Sequence, residues 1–124
     1  MQLYTIDPFA QNPEDTIERL TDARGNTIAP EWSPTSDEIA FLNINNEDLT
    51  VGTTNVSSGS IRSLTFTPDW RISVPAWTLD GSYVLYTSAA PDDNTQAIQA
   101  QRPTNRSPIT IEIVNLNILR VIAR

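Results

Sequence analysis

Three adjacent oxygen-bearing side chains, Asp92-Asp93-Asn94, come nearest to a chemical site in this sequence. A Ca²⁺ ion takes about 6–8 oxygen ligands, and calcium loops supply them at alternating positions around a glycine. Here the three are consecutive and that glycine is missing, so the stretch reads as a solvated acidic loop. Most other chemistry lacks its residues altogether. There is no His, hence no Ser–His or Cys–His pair and no imidazole for zinc. There is no Cys, which excludes disulfides, thiolate catalysis and iron–sulfur ligation. There is no Lys, which removes the Walker-type phosphate loop and Schiff-base chemistry. An aspartate or glutamate pair stays formally open, but no catalytic constellation is visible. The expectation is a protein with no catalytic residues, no metal and no cofactor. Asn55-Val56-Ser57 fits the Asn-x-Ser acceptor rule, a pattern with weight only in a secreted eukaryotic protein.

Charge narrows the partners. There are 15 acidic residues against 8 basic ones, all arginine, for a net charge of −7. Nucleic-acid binding needs clustered cations to release counterions. Arg19, Arg24, Arg62, Arg71, Arg102, Arg106, Arg120 and Arg124 are instead scattered. Nucleic acid is therefore not an expected partner, and the acidity serves either solubility or attraction to a basic protein. No apolar run approaches the ~20 residues that cross a bilayer, so membrane insertion is not expected. Met1 is followed by "QLYTIDPFAQNPEDT", which has neither the basic start nor the apolar stretch of a signal peptide. The lack of cysteine leaves the compartment open.

The elements that would hold any site are written twice. With Pro30 set against Pro75, 45 positions on, Trp32 meets Trp77, Ser33 meets Thr78, Ile39 meets Val84 and Phe41 meets Tyr86. "TIERLT" (16–21) likewise returns as "SIRSLT" (60–65), and more faintly as "ILRVIA" (118–123). A period of this size is the mark of a repeat architecture. The repeated stretches are rich in β-branched and aromatic residues and follow turn signals, while no stretch shows a 3.6-residue apolar period. Asp80-Gly81 supplies the positive φ of a tight turn. The spacing predicts four antiparallel strands per repeat, near 28–33, 38–44, 48–54 and 60–66, then near 73–78, 82–88, 109–115 and 118–123. Between lies a polar stretch, 89–108, read as a long inserted loop that is either functional or disordered, with a short extra strand at "QAIQAQ" conceivable.

"LT…APEWSPTSDEIAF…SIRSLT" resembles the repeat of TolB-type, WD40-like β-propellers: Leu-Thr, a loop, Pro-x-Trp-Ser-Pro-Asp-Gly, then a strand such as Ile-Ala-Phe. Pro34-Thr35-Ser36 departs from that pattern, Thr78-Leu79-Asp80-Gly81 lacks its proline, and the end reads "VIAR" in place of Leu-Thr. The resemblance implies an all-β chain of propeller blades, four-stranded antiparallel sheets. Residues 1–21 would form the outer two strands of a preceding blade, 22–66 a first blade, and 67–124 a second blade carrying the 89–108 loop. Propellers close with about 4–8 blades, so two and a half blades point to a fragment of a larger propeller. Its uncovered blade faces would favour self-association. A self-contained β-sandwich is the other architecture. Trp32 and Trp77 are expected to fill the gaps between blades, each removing roughly 150–250 Å² from water. Pro30 and Pro75 would restrain the entry to the strands that end in these tryptophans.

In such a propeller the ligand face collects the loops leading from one blade to the next, here Asp22 to Asn26 and Thr67 to Ser73. Arg24, Asn26, Asp69, Trp70 and Arg71 are thus the expected partner-binding residues, with "NINNEDL" and the long loop opening on the same face. Trp70 beside Arg71 would make an interface anchor. The function implied is a non-catalytic scaffold that binds a protein partner in a bacterial, periplasmic setting. Two alternatives stand beside it: the gating propeller of a prolyl oligopeptidase-like serine peptidase, and a carbohydrate-binding propeller.

Overall fold

In the computed structural model the described residues are 1–22, 24–65, 72–89, 96–104 and 108–114. They form three antiparallel sheets. The first pairs β1 (Tyr4–Thr5) with β2 (Glu18–Arg19), joined through a 3₁₀ turn at Pro13–Thr16. The second is a meander of β3 (Asn26–Trp32), β4 (Glu38–Asn45), β5 (Asp48–Asn55) and β6 (Ile61–Ser63). The third is a meander of β7 (Ala76–Trp77), β8 (Val84–Ala89), β9 (Gln96–Gln101) and β10 (Ile109–Val114). Two successive four-stranded meanders, each in strict sequence order, are the arrangement expected of consecutive propeller blades.

The apolar run of β4 is explained by burial on both faces. Ile39 and Phe41 pack with Leu3 of the β1–β2 sheet, whereas Ala40 and Leu42 join Val51, Leu64, Ile72, Val84 and Tyr86 in a second cluster. Side chains alternate across a strand, so one strand serves the seams on either side of its blade. Val84 and Tyr86 of β8 face the first blade, as Ile39 and Phe41 face the β1–β2 sheet. The repeat in the sequence is therefore a repeat in orientation.

The recurring Leu-Thr phrase has a mechanical meaning. Leu20 N–H donates to Leu3 O (2.8 Å), and Leu3 N–H donates to the Thr21 hydroxyl (2.9 Å). One repeat later, Leu64 N–H donates to Val51 O (2.8 Å), and Val51 N–H to the Thr65 hydroxyl (2.9 Å). Each threonine ends an outer strand by satisfying a buried amide of the strand inside it. The inner turns also match. Ser33 N–H donates to Glu38 O (2.7 Å) and Thr78 N–H to Tyr83 O (2.9 Å). In the second turn Gly81 has φ 71°, the positive value expected of the Asp-Gly pair. Bonds from the Ser82 N–H and the Thr78 hydroxyl hold the Asp80 carboxyl below the usual carboxylate range.

Three expectations need correction. Residues 89–108 are not one long loop: the short strand conceivable at "QAIQAQ" is present as Gln96–Gln101, and it is the third strand of its blade, with Tyr86 opposite Gln99 and Val84 opposite Gln101. Its glutamines are tolerated inside because they are bonded. Tyr86 OH donates to Gln101 Oε1 (2.7 Å) and Thr110 Oγ1 donates to Gln99 Oε1 (3.1 Å). The strand expected third, near 109–115, is Ile109–Val114 and lies fourth in its sheet. The strand expected at 118–123 and the acidic stretch Asp92-Asp93-Asn94 lie outside the described residues. Pro30, in turn, does not stand at the entry of its strand but well inside β3, which begins at Asn26. Ile28 pairs with Leu42 and Glu31 with Ala40, so two residues oppose Phe41 in a bulge. There the missing N–H is tolerated, and Ala29 takes φ 53°. Pro75 is buried immediately before β7.

Candidate functional site: a loop face and an open seam

Strand directions bring the loop at 22–26 and the β4–β5 turn to the same end of the first blade, because Asn26 pairs with Ile44. The approach is close. A Cβ on Gly25, which has φ 84°, would lie 2.1 Å from Ile44 O. Only glycine fits there on both counts. The Met1 ammonium donates to Asn26 Oδ1 (2.5 Å), and Thr27 N–H donates to Met1 O (2.8 Å), fixing the start of β3. Arg24, Asn26, Glu47 and Asp48 are exposed on this face. Asp22 is exposed as well, but its carboxylate is engaged by Arg19 at 2.9 Å. Of the five expected partner-binding residues, the structure places Arg24 and Asn26 together here. Asp69, Trp70 and Arg71 lie outside the described residues.

The tryptophans occupy equivalent positions with different outcomes. Trp77 is half-buried in the seam between blades, packed on the shared core, and its indole N–H donates to Glu31 O of β3 at 2.8 Å. Trp32 lies at the matching seam toward the β1–β2 sheet but remains 56% exposed. The expectation that both fill a gap is corrected for Trp32, for a physical reason. The strands that would cover it are an inner pair, and the β1–β2 sheet consists of an outer pair only. In their place is an apolar cleft of about 220 Å³ lined by Leu3, Tyr4, Ile6, Leu20, Pro30 and Trp32 among others. Sequence reading missed this cleft, although the apolar residues Leu3, Tyr4 and Ile6 ahead of the Trp32 phrase were its signal.

Among the described residues no group of three His, Cys, Asp or Glu side chains converges as a metal site would require. No helix among them is long and apolar enough to cross a membrane.

No protein-family model and no curated protein matches the sequence. Among solved structures, the chain is similar to TolB from Acinetobacter baumannii, with a TM-score of 0.60 and 16% identity over 81% of this chain. The match spans 24% of the TolB chain, about a quarter of its length. At that identity the likeness shows the fold alone. It agrees with the two meanders in defining this chain as β-propeller blades.

Proposed function

We propose that these blades are a non-catalytic scaffold that binds a basic protein partner on the face formed by the 22–26 loop and the β4–β5 turn. The observation that carries the reading is the close packing of Gly25 on Ile44 O. It seats the Arg24 loop against the Glu47-Asp48 turn on the end of a rigid sheet. Polar residues presented on loops over a fixed framework are a common arrangement for recognition. Among the described residues the face sets the Arg24 guanidinium beside the carboxylates of Glu47 and Asp48, and the net charge of −7 favours encounter with a cation-rich surface. Arg24 can clamp a partner carboxylate through two parallel bonds, while Glu47 and Asp48 receive its cations.

The test compares proteins captured by the immobilised wild-type chain with those captured by an Arg24→Glu/Glu47→Lys double variant, with Glu14→Lys as a control far from the face. A captured protein retained by the control and lost by the double variant supports the reading. Identical profiles for all three, or loss of capture only at high salt without residue dependence, overturn it.

A further inference from the structure

The seam beside Trp32 makes its own case, on a different surface from the loop face and independent of that reading. We infer that the cleft between β1 and Trp32 accepts a two-stranded antiparallel hairpin with this repeat's inner-strand pattern, supplied by a polypeptide segment outside these 124 residues. The chain itself shows what such an occupant looks like. At the next seam the β3–β4 hairpin occupies the equivalent place and gives Trp77 the carbonyl of Glu31. Trp32 has the same place in its repeat and the same indole donor, and it is 56% exposed.

The edge of β1 is set up for pairing. Leu3 turns its backbone toward β2, accepting from Leu20 N–H and donating to Thr21. Asp7 also turns that way, donating its N–H to the Thr16 hydroxyl at 2.8 Å. Backbone groups alternate sides along an antiparallel strand, so Tyr4, and Ile6 after it, direct N–H and C=O to the other edge. Tyr4 and Ile6 are 58% and 53% exposed. An apolar cleft bounded by an unpaired strand edge is a site for strand addition. Backbone bonds would hold the strand, and the cleft would select apolar side chains on it.

The identical Leu-Thr bonds set the register. They make Leu3 the counterpart of Val51, so Met1 is the counterpart of Leu49 and the position before Met1 that of Asp48. A copy of residues 26–48 joined directly ahead of Met1 should therefore fold into the cleft with no linker. The experiment uses this fusion of the full chain, comparing acrylamide quenching of the Trp32 component (the difference from a Trp32→Ala counterpart) and the melting temperature. The expected result is a severalfold loss of Trp32 quenching and a rise in melting temperature, in one cooperative transition. Tyr4→Pro, which removes an N–H that does not face β2, should abolish both gains while the unfused Tyr4→Pro chain melts as wild type. If the fused copy stays protease-sensitive with Trp32 as quenchable as before, the inference fails. It fails equally if the unfused chain already shields Trp32 by dimerising in sedimentation, which would make a second copy the occupant.

Discussion

Single hydroxyls decide how the blade edges close. Thr21 and Thr65 are buried, and each accepts the backbone N–H of a neighbouring strand residue, Leu3 and Val51 respectively. Replacing either by Val keeps the shape and leaves a buried amide unsatisfied, at a cost of about 1–3 kcal/mol. Ser should restore most of it, and urea unfolding of the Val and Ser variants reads the difference. Tyr86 gives a second residue-scale prediction. Burial pushes its hydroxyl up to about 12. A group whose folded pKa is raised stabilises the fold below its unfolded value, about 10. That stabilisation is lost as pH rises through the folded value. Unfolding should therefore steepen between these two values, with tyrosinate absorbance rising in step. Tyr86→Phe should flatten that dependence while losing the bond to Gln101, worth about 1 kcal/mol near neutrality. Gly25→Ala belongs here too: with 2.1 Å of room and φ 84°, it should lower stability by more than 1 kcal/mol in order of magnitude and displace Arg24 from the turn.

At the scale of elements, the legible parts of the sequence were those with β-branched, aromatic or turn chemistry. β4 and β8 announced themselves through Ile39-Ala40-Phe41 and Val84-Leu85-Tyr86, and the Asp80-Gly81 turn through its glycine. β9 showed only as a conceivable extra strand and not as the third of its blade, because Gln96-Ala97-Ile98-Gln99-Ala100-Gln101 has low strand propensity. Its place depends on the Tyr86 and Thr110 hydroxyls that meet its glutamines, partners far along the chain. The reading of Pro30 as a strand-entry residue failed for a similar reason, since a bulge is set by pairing register. Of the candidate site, Arg24 and Asn26 were legible because loop position follows from strand order. The Trp32 cleft was not, because a repeat pattern gives a residue's place without saying what stands opposite. The paired tryptophans test this directly. Trp77→Phe should cost about 1–3 kcal/mol through the lost bond to Glu31 and looser packing. Trp32→Phe should cost well under about 1 kcal/mol, being half in solvent. Denaturant midpoints of the two variants, at equal m-values, give the comparison.

Across the whole molecule, stability should grade from one end to the other. The β1–β2 sheet has strands of two residues each and a small apolar anchor, buried Leu3 with the partly buried Leu20, against Ile39 and Phe41. The first blade has cores on both faces. Amide exchange should therefore be fast at Thr5 and Arg19 and slowest at Phe41, Leu42 and Val51, since local opening follows the buried apolar area that is lost. Uniform protection along the chain would contradict this gradient.

The bond from the Trp77 indole ends on a main-chain oxygen, which every amino acid has. The facing strand can accordingly change its side chain at position 31 without losing its half of the joint. A duplicated unit would inherit a working joint from the moment of duplication, and its side chains could then diverge with no matching change next door. Low identity between units, and between this chain and others of the same shape, is what such a sequence-blind joint permits.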